Sequence, residues 1–182
     1  MTSPTHRALV IVFDGVEEVE ALTQVDLLRR AEVEVTVANV NEAPAVTGRN
    51  RITFSVDARL DEIDPGAFDL IVLPGGPGVL KLQGNQHVTD MLSAHHRKGA
   101  ELAALCAAPK ILASSGILAN HTATSHASVR GDLPHPSDRR VVEDRNVVTS
   151  QGVGTAVEFG LALVRRLKGD AVASDIAKSI HH

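Results

Sequence analysis

Glu101-Leu102-Ala103-Ala104-Leu105-Cys106-Ala107-Ala108-Pro109 carries the chain's only cysteine, at the point where an apolar run gives way to a helical pattern. A short apolar run reads as a buried strand, and Pro109 suits a first helical turn, where its missing N–H is not needed. The stretch therefore predicts a sharp strand-to-helix turn, a nucleophile elbow, with Cys106 at the corner. Such a turn crowds the positions two residues either side of the nucleophile, and here both are alanine, Ala104 and Ala108. Amides opening the helix would aim at the sulfur and favour the thiolate. A single cysteine is also commonly a small buried hydrophobe, so chemistry requires companions in the rest of the chain.

Outward from this elbow, short β-branched runs alternate with longer helical patterns, which predicts βαβ units and an α/β fold with a largely parallel sheet covered on both faces. Buried strands are expected at Ala8–Val12, Glu34–Val40, Asp69–Leu73, Glu101–Leu105, Thr122–Ser125 and Asn146–Ser150. Arg51–Val56 and Arg140–Glu143 alternate with polar residues and read as edge or hairpin strands. Helices are expected at Glu17–Ala31, Gln86–Lys98, Ala107–Ser114, Thr155–Lys168 and Asp170–Ile180, the fourth opened by a Thr155-x-x-Glu158 capping box. His126 to Asp138, with Gly131, Pro134 and Pro136, reads as a surface loop.

The 182 residues are expected to form one domain, long enough to bury about 70% of the unfolded surface. A net charge of −4, four Phe and no Trp or Tyr supply neither the basic footprint nor the stacking surface of a nucleic-acid binder. The apolar run Ala8–Val12 is too short for a signal segment or a membrane span. With one cysteine there is no intrachain disulfide, and the expected location is cytoplasmic. No role is assigned to His181-His182.

In an open parallel sheet the ligand site lies beyond the carboxyl ends of the strands. Three expected strands end in Asp14-Gly15, Pro74-Gly75-Gly76-Pro77-Gly78 and Cys106. Gly75 and Gly76 leave backbone amides free to approach a ligand, and with the Ala107 amide they could hold negative charge on a carbonyl attacked by Cys106, although the motif alone is an ordinary tight loop. Glu17-Glu18-Val19-Glu20 opens the first helix, where carboxylates suit the dipole and are ordinarily solvated. Glu20, however, shares a helical face with Gln24 and Leu27, and a buried carboxyl there could exchange a proton with the thiol. His126 follows a strand end and is a candidate proton carrier. His95 and His96 face different ways on one helix, His121 is expected at the surface, and no cluster has metal-ligand spacing. Gly152-Val-Gly154 lacks the third glycine of a dinucleotide fingerprint, Val157 standing there, so neither metal nor cofactor is expected.

Taken in order, Glu17-Glu-Val-Glu20, Asp26-Leu-Leu-Arg-Arg30, Leu73-Pro-Gly-Gly76, Ala104-Leu-Cys-Ala-Ala-Pro109 and Thr149-Ser-Gln-Gly-Val-Gly-Thr155 resemble the ThiJ/PfpI superfamily, and within it the clade of the Parkinson-disease-associated deglycase. The resemblance runs from about Arg7 to Ile180. It implies a flavodoxin-like three-layer sandwich, a homodimer, Cys106 as reactive thiol in a strained backbone, Glu20 as its carboxyl partner and the amides of Gly76 and Ala107 as oxyanion site. His126 matches the family histidine beside the pocket. The implied activity is cofactor-independent: a glyoxalase or deglycase acting on small dicarbonyls, with nucleic acid involved only as a glycated substrate. The alternative is a redox-sensing chaperone in which Cys106 oxidises to sulfinate.

Ala107 replaces the histidine that follows the cysteine in the protease-like branch, and Ser150-Gln-Gly-Val replaces the late His and Glu of glutamine amidotransferases. Peptidase and glutaminase activities are therefore disfavoured. The clade often carries a hairpin arginine that reaches the partner's pocket; here Asn50 holds that position, flanked by Arg49 and Arg51.

Overall fold

The computed structural model describes residues 5–182. Residues 1–4 lie outside the described residues. The elements run β1 (Arg7–Val12), α1 (Glu18–Arg30), β2 (Glu34–Asn39), β3 (Ala45–Thr47), β4 (Thr53–Ser55), β5 (Ala58–Arg59), β6 (Leu70–Leu73), α2 (Gln86–Arg97), β7 (Glu101–Leu105), α3 (Pro109–Ser114), β8 (Thr122–Ala123), β9 (His135–Pro136), β10 (Val141–Asp144), β11 (Val147–Ser150), α4 (Ala156–Lys168) and α5 (Asp170–Ser179).

Seven strands form the central sheet in the order β10-β11-β7-β6-β1-β2-β5. All pairs are parallel except β10 with β11. The inner strands read as continuous apolar runs because both their faces are covered: Leu9, Ile11, Ile71, Leu73, Leu102 and Leu105 are fully buried. Helix α1 packs on α4 and α4 on α5, while α2 packs on α3. At Gly160 of α4 a Cβ would lie 2.5 Å from Leu27 and 2.7 Å from Gln24 Oε1, so the α1–α4 contact needs a glycine there. The fold is the flavodoxin-like α/β sandwich expected above. Strand order reverses around β1, with β2 on one side and β6 on the other, and the cleft above that reversal receives the loops after β1, β6 and β7.

Three local expectations are corrected. Thr122–Ser125 is not a strand of the central sheet. Only Thr122–Ala123 is extended, pairing with β9, because β10 turns back and occupies the outer edge of β11. The amides of Thr122 and Thr124 bond instead to Asp144 Oδ2 at 2.7 Å and Thr149 Oγ1 at 2.9 Å. The Thr155–Glu158 capping box does not form. Thr155 Oγ1 faces back to Ser150 Oγ (2.6 Å) and accepts from the Gly152 amide (3.1 Å), while Glu158 pairs with Arg140 at 2.7 Å. His121 is buried, since the β10–β11 turn folds over it: Nδ1 lies 3.2 Å from the Asp144 carbonyl and its ring meets the edge of His96. The edge or hairpin strand expected at Arg51–Val56 is present as β4, paired antiparallel with β3.

Candidate active site

Cys106 sits just past β7 with φ +61°, a left-handed conformation that costs a non-glycine residue of order 1–3 kcal/mol. The surroundings over-determine it. Its N–H donates to the Ser150 carbonyl at 3.0 Å, and its own carbonyl accepts the His126 N–H at 2.8 Å. Ala104 and Ala108 are fully buried against their neighbours, as the elbow requires. Helix α3 begins at Pro109, so Ala107 and Ala108 belong to the turn rather than to the expected helix.

Glu20 lies on the inward face of α1 with Gln24 and Leu27, and all three are buried. Oε2 accepts the Gly75 amide at 2.9 Å. Oε1 is buried and has no hydrogen-bond partner of good geometry among the described residues. It faces the elbow: a Cβ added at Gly152 would lie 3.5 Å from Oε1 and 3.8 Å from the Cys106 sulfur. Burial pushes the Glu20 carboxyl up to about 7, against the nearby Cys106 thiol and the hydrogen bond from the Gly75 amide. Burial, and then the adjacent carboxylate, push the Cys106 thiol up to about 12, against the amides of Gly76 and Ala107. The thiolate expected from helix amides alone is thus opposed by desolvation, and the two acids share their protons as a pair.

The amides of Gly76 and Ala107 both approach the sulfur. Gly75, grouped with them above, commits its N–H to Glu20 instead. Gly76 adopts φ +103°, and a Cβ there would lie 2.4 Å from the Glu17 amide nitrogen. His126 lines the same cavity. Its side chain is exposed, and Nδ1 accepts the Ser128 N–H at 3.2 Å and lies 2.8 Å from Ser128 Oγ. Nε2 therefore carries the proton of the neutral ring.

Glu17 and Glu18, expected to be solvated, are buried because the β3–β4 hairpin folds over them. Glu18 accepts the Asn50 N–H (2.8 Å), Asn50 Nδ2 (2.9 Å) and, more weakly, the Ile52 N–H (3.4 Å). Burial works against its charge, but these donors hold the carboxyl below its usual range. Glu17 pairs with Arg49 at 3.3 Å. In the hairpin, Asn50 binds the two glutamates, and Arg49 lines the cavity of its own chain.

These residues enclose a cavity of about 560 Å³. Arg140, Gln151 and Ser128 also line it, and sequence reasoning missed them. The first two arrive through the β10–β11 hairpin and the turn after it, an approach that leaves no local motif. Among the described residues no group of three or more His, Cys, Asp or Glu side chains is placed to hold a metal ion. Among the described residues no helix is long and apolar enough to cross a membrane.

An elbow cysteine at φ +61° beside a buried carboxyl, above the strand-order reversal of a parallel sheet, defines a class of α/β cysteine proteins. The chain belongs to the DJ-1/PfpI family, whose profile matches residues 6–166. It is 37% identical to Protein dj-1beta of Drosophila melanogaster over 97% of each chain, and 32% identical to the glutathione-independent glyoxalase DJR-1.2 of Caenorhabditis elegans over 99% of this chain and 98% of that one. The crystal structure of Drosophila melanogaster DJ-1beta superposes with a TM-score of 0.93 at 36% identity, covering 97% of this chain and 98% of that one. Oxidised DJ-1 from Toxoplasma gondii superposes at 0.94 and 31% identity, covering 98% and 99%.

Proposed function

We propose that the protein is a cofactor-independent cysteine enzyme that converts small 2-oxoaldehydes such as methylglyoxal to 2-hydroxy acids and acts on their adducts with biological nucleophiles. The observation that carries this reading is the Cys106 sulfur set between the buried Glu20 carboxyl and the amides of Gly76 and Ala107. The name of the Caenorhabditis elegans relative supports it.

The aldehyde carbon takes the Cys106 sulfur while the thiol proton passes to Glu20, and the resulting hemithioacetal oxygen lies against the two amides. Glu20 passes that proton on to the hemithioacetal oxygen and, ionised again, removes the hydrogen from the former aldehyde carbon to give an enediolate. It returns this proton to the neighbouring carbon while the hydroxyl proton moves from the former aldehyde oxygen to the former ketone oxygen. The aldehyde carbon is thereby oxidised to a thioester and the ketone carbon reduced to an alcohol, with no outside oxidant. Water cleaves the thioester, releasing the 2-hydroxy acid and restoring the thiol. His126, with its proton on Nε2, serves proton transfer at the mouth. A carboxyl near 7 suits both directions of transfer.

The test is lactate formation from methylglyoxal without glutathione: wild type makes it, and Cys106→Ser at an equal rate ends the proposal. A redox-sensing role has its own support in the orphaned Glu20 Oε1, which leaves an acceptor or donor for an oxygen added to sulfur. Mass spectrometry under limiting peroxide decides it, since Cys106 oxidising no faster than a free thiol removes that reading. The same proposal takes the protein as a homodimer, supported by exposed Val19, Leu22 and Ile52.

A further inference from the structure

The cavity is much larger than methylglyoxal requires; its size falls in the range of about 300–1,000 Å³ that houses much larger ligands. Its lining is divided. Leu80, Val129 and Val153 form an apolar part, and Arg49 stands at its rim. The hairpin holds Arg49 firmly. Its N–H donates to the Val16 carbonyl at 2.9 Å, Gly48 and Ile52 close the turn at 3.0 Å, and Glu18 anchors the residues beyond. Glu17 takes the guanidinium by Nε at 3.3 Å. The two terminal nitrogens make no hydrogen bond among the described residues, although the side chain is only half exposed. A guanidinium paired through Nε, with its two terminal nitrogens uncommitted on a residue that lines the cavity, can take a carboxylate by its fork. Arg140, also at the rim, is further committed, through Nε to Glu158 and through a terminal nitrogen to the Gly154 carbonyl.

We propose that Arg49 binds a carboxylate on the substrate, so that the preferred substrate is a 2-oxoaldehyde joined by a short apolar linker to a carboxylate, rather than methylglyoxal itself. This rests on the dicarbonyl reading above. The probe is 4,5-dioxopentanoate, which with one water becomes 2-hydroxyglutarate by the same internal transfer of hydrogen.

Steady-state rates with 4,5-dioxopentanoate and methylglyoxal are compared in wild type, Arg49→Met and Arg49→Lys. Any influence of Arg49 on Glu20 affects both substrates and cancels in the ratio of their kcat/KM values. In wild type the ratio favours the charged substrate. In Arg49→Met it falls at least tenfold, through KM, and Arg49→Lys recovers part of it. A ratio unchanged by Arg49→Met overturns the proposal. A second arm needs no turnover: 2-hydroxyglutarate shields Cys106 from iodoacetamide at a lower concentration than lactate in wild type, but not in Arg49→Met. Shielding of this kind without any turnover removes the dicarbonyl enzyme and leaves the Arg49 site standing. Equal shielding by both acids in both proteins removes the Arg49 site, whatever the turnover.

Discussion

Oε2 of Glu20 accepts the Gly75 N–H at 2.9 Å, and a Cβ at position 75 would lie 2.8 Å from that same oxygen and 2.5 Å from Cys106 Cβ. The close approach of the β6 loop to the elbow therefore depends on Gly75 having no side chain. Gly75→Ala should force the loop off the elbow, costing about 1–3 kcal/mol in denaturant unfolding and at least tenfold in lactate formation. Unchanged activity would show that the Gly75 contact does not hold Glu20 in place.

The buried carboxyl gives a pH signature in turnover. Glu20 must be ionised to take the thiol proton, so kcat/KM should rise with pH about a midpoint near 7. Glu20→Gln should lower the rate by about 10²–10⁴ and abolish that limb. An acid limb that survives in Glu20→Gln belongs to another group.

Stability should move in the opposite direction. The folded carboxyl holds its proton up to about 7, whereas its unperturbed value is 4.5. Between these values the folded chain keeps a proton that the unfolded chain has released, so stability is highest below 4.5 and falls as pH rises through 7. The loss is on the order of a few kcal/mol. Glu20→Gln lacks this slope, and its gain in Tm over wild type should be larger at pH 8 than at pH 5. Equal gains at both pH values would contradict a carboxyl that is neutral when buried.

Glu18 is the counter-case. Its carboxylate is held below 4.5, so its contribution is present above that value and is lost as pH falls through the folded value. Glu18→Ala leaves the Asn50 amide without its acceptor and should speed hydrogen exchange at Asn50 and Ile52, with a loss of about 1–3 kcal/mol. Gly48→Ala should loosen the same hairpin, since its Cβ would lie 2.3 Å from the Glu18 carboxyl.

Thr155 and Glu158 should not behave as a capping box. Thr155→Val leaves the Gly152 amide without its acceptor in the interior and takes one of the two partners of Ser150 Oγ, which keeps the Arg140 carbonyl, and should cost about 1–3 kcal/mol. Glu158→Ala removes an exposed pair with Arg140 and should cost about 0–1 kcal/mol. Similar, larger losses in both variants would restore the box.

The apolar runs at Ala8–Val12, Asp69–Leu73 and Glu101–Leu105 and the helical patterns between them determine a parallel sheet, because a strand buried on both faces must be apolar throughout. The elbow was legible for a similar local reason: small residues around a nucleophile and a proline behind it constrain one short turn. Glu20 was legible from helical register. What the tertiary structure decided depends on which segments meet. β10 took the sheet edge and left Thr122–Ala123 to β9. The β3–β4 hairpin folded over Glu17 and Glu18, turned solvated caps into buried acceptors and placed Arg49 in the cavity. Burial, a property of the assembled fold rather than of any residue, set the ionisation of Glu20 and Cys106 against what helix amides alone would produce.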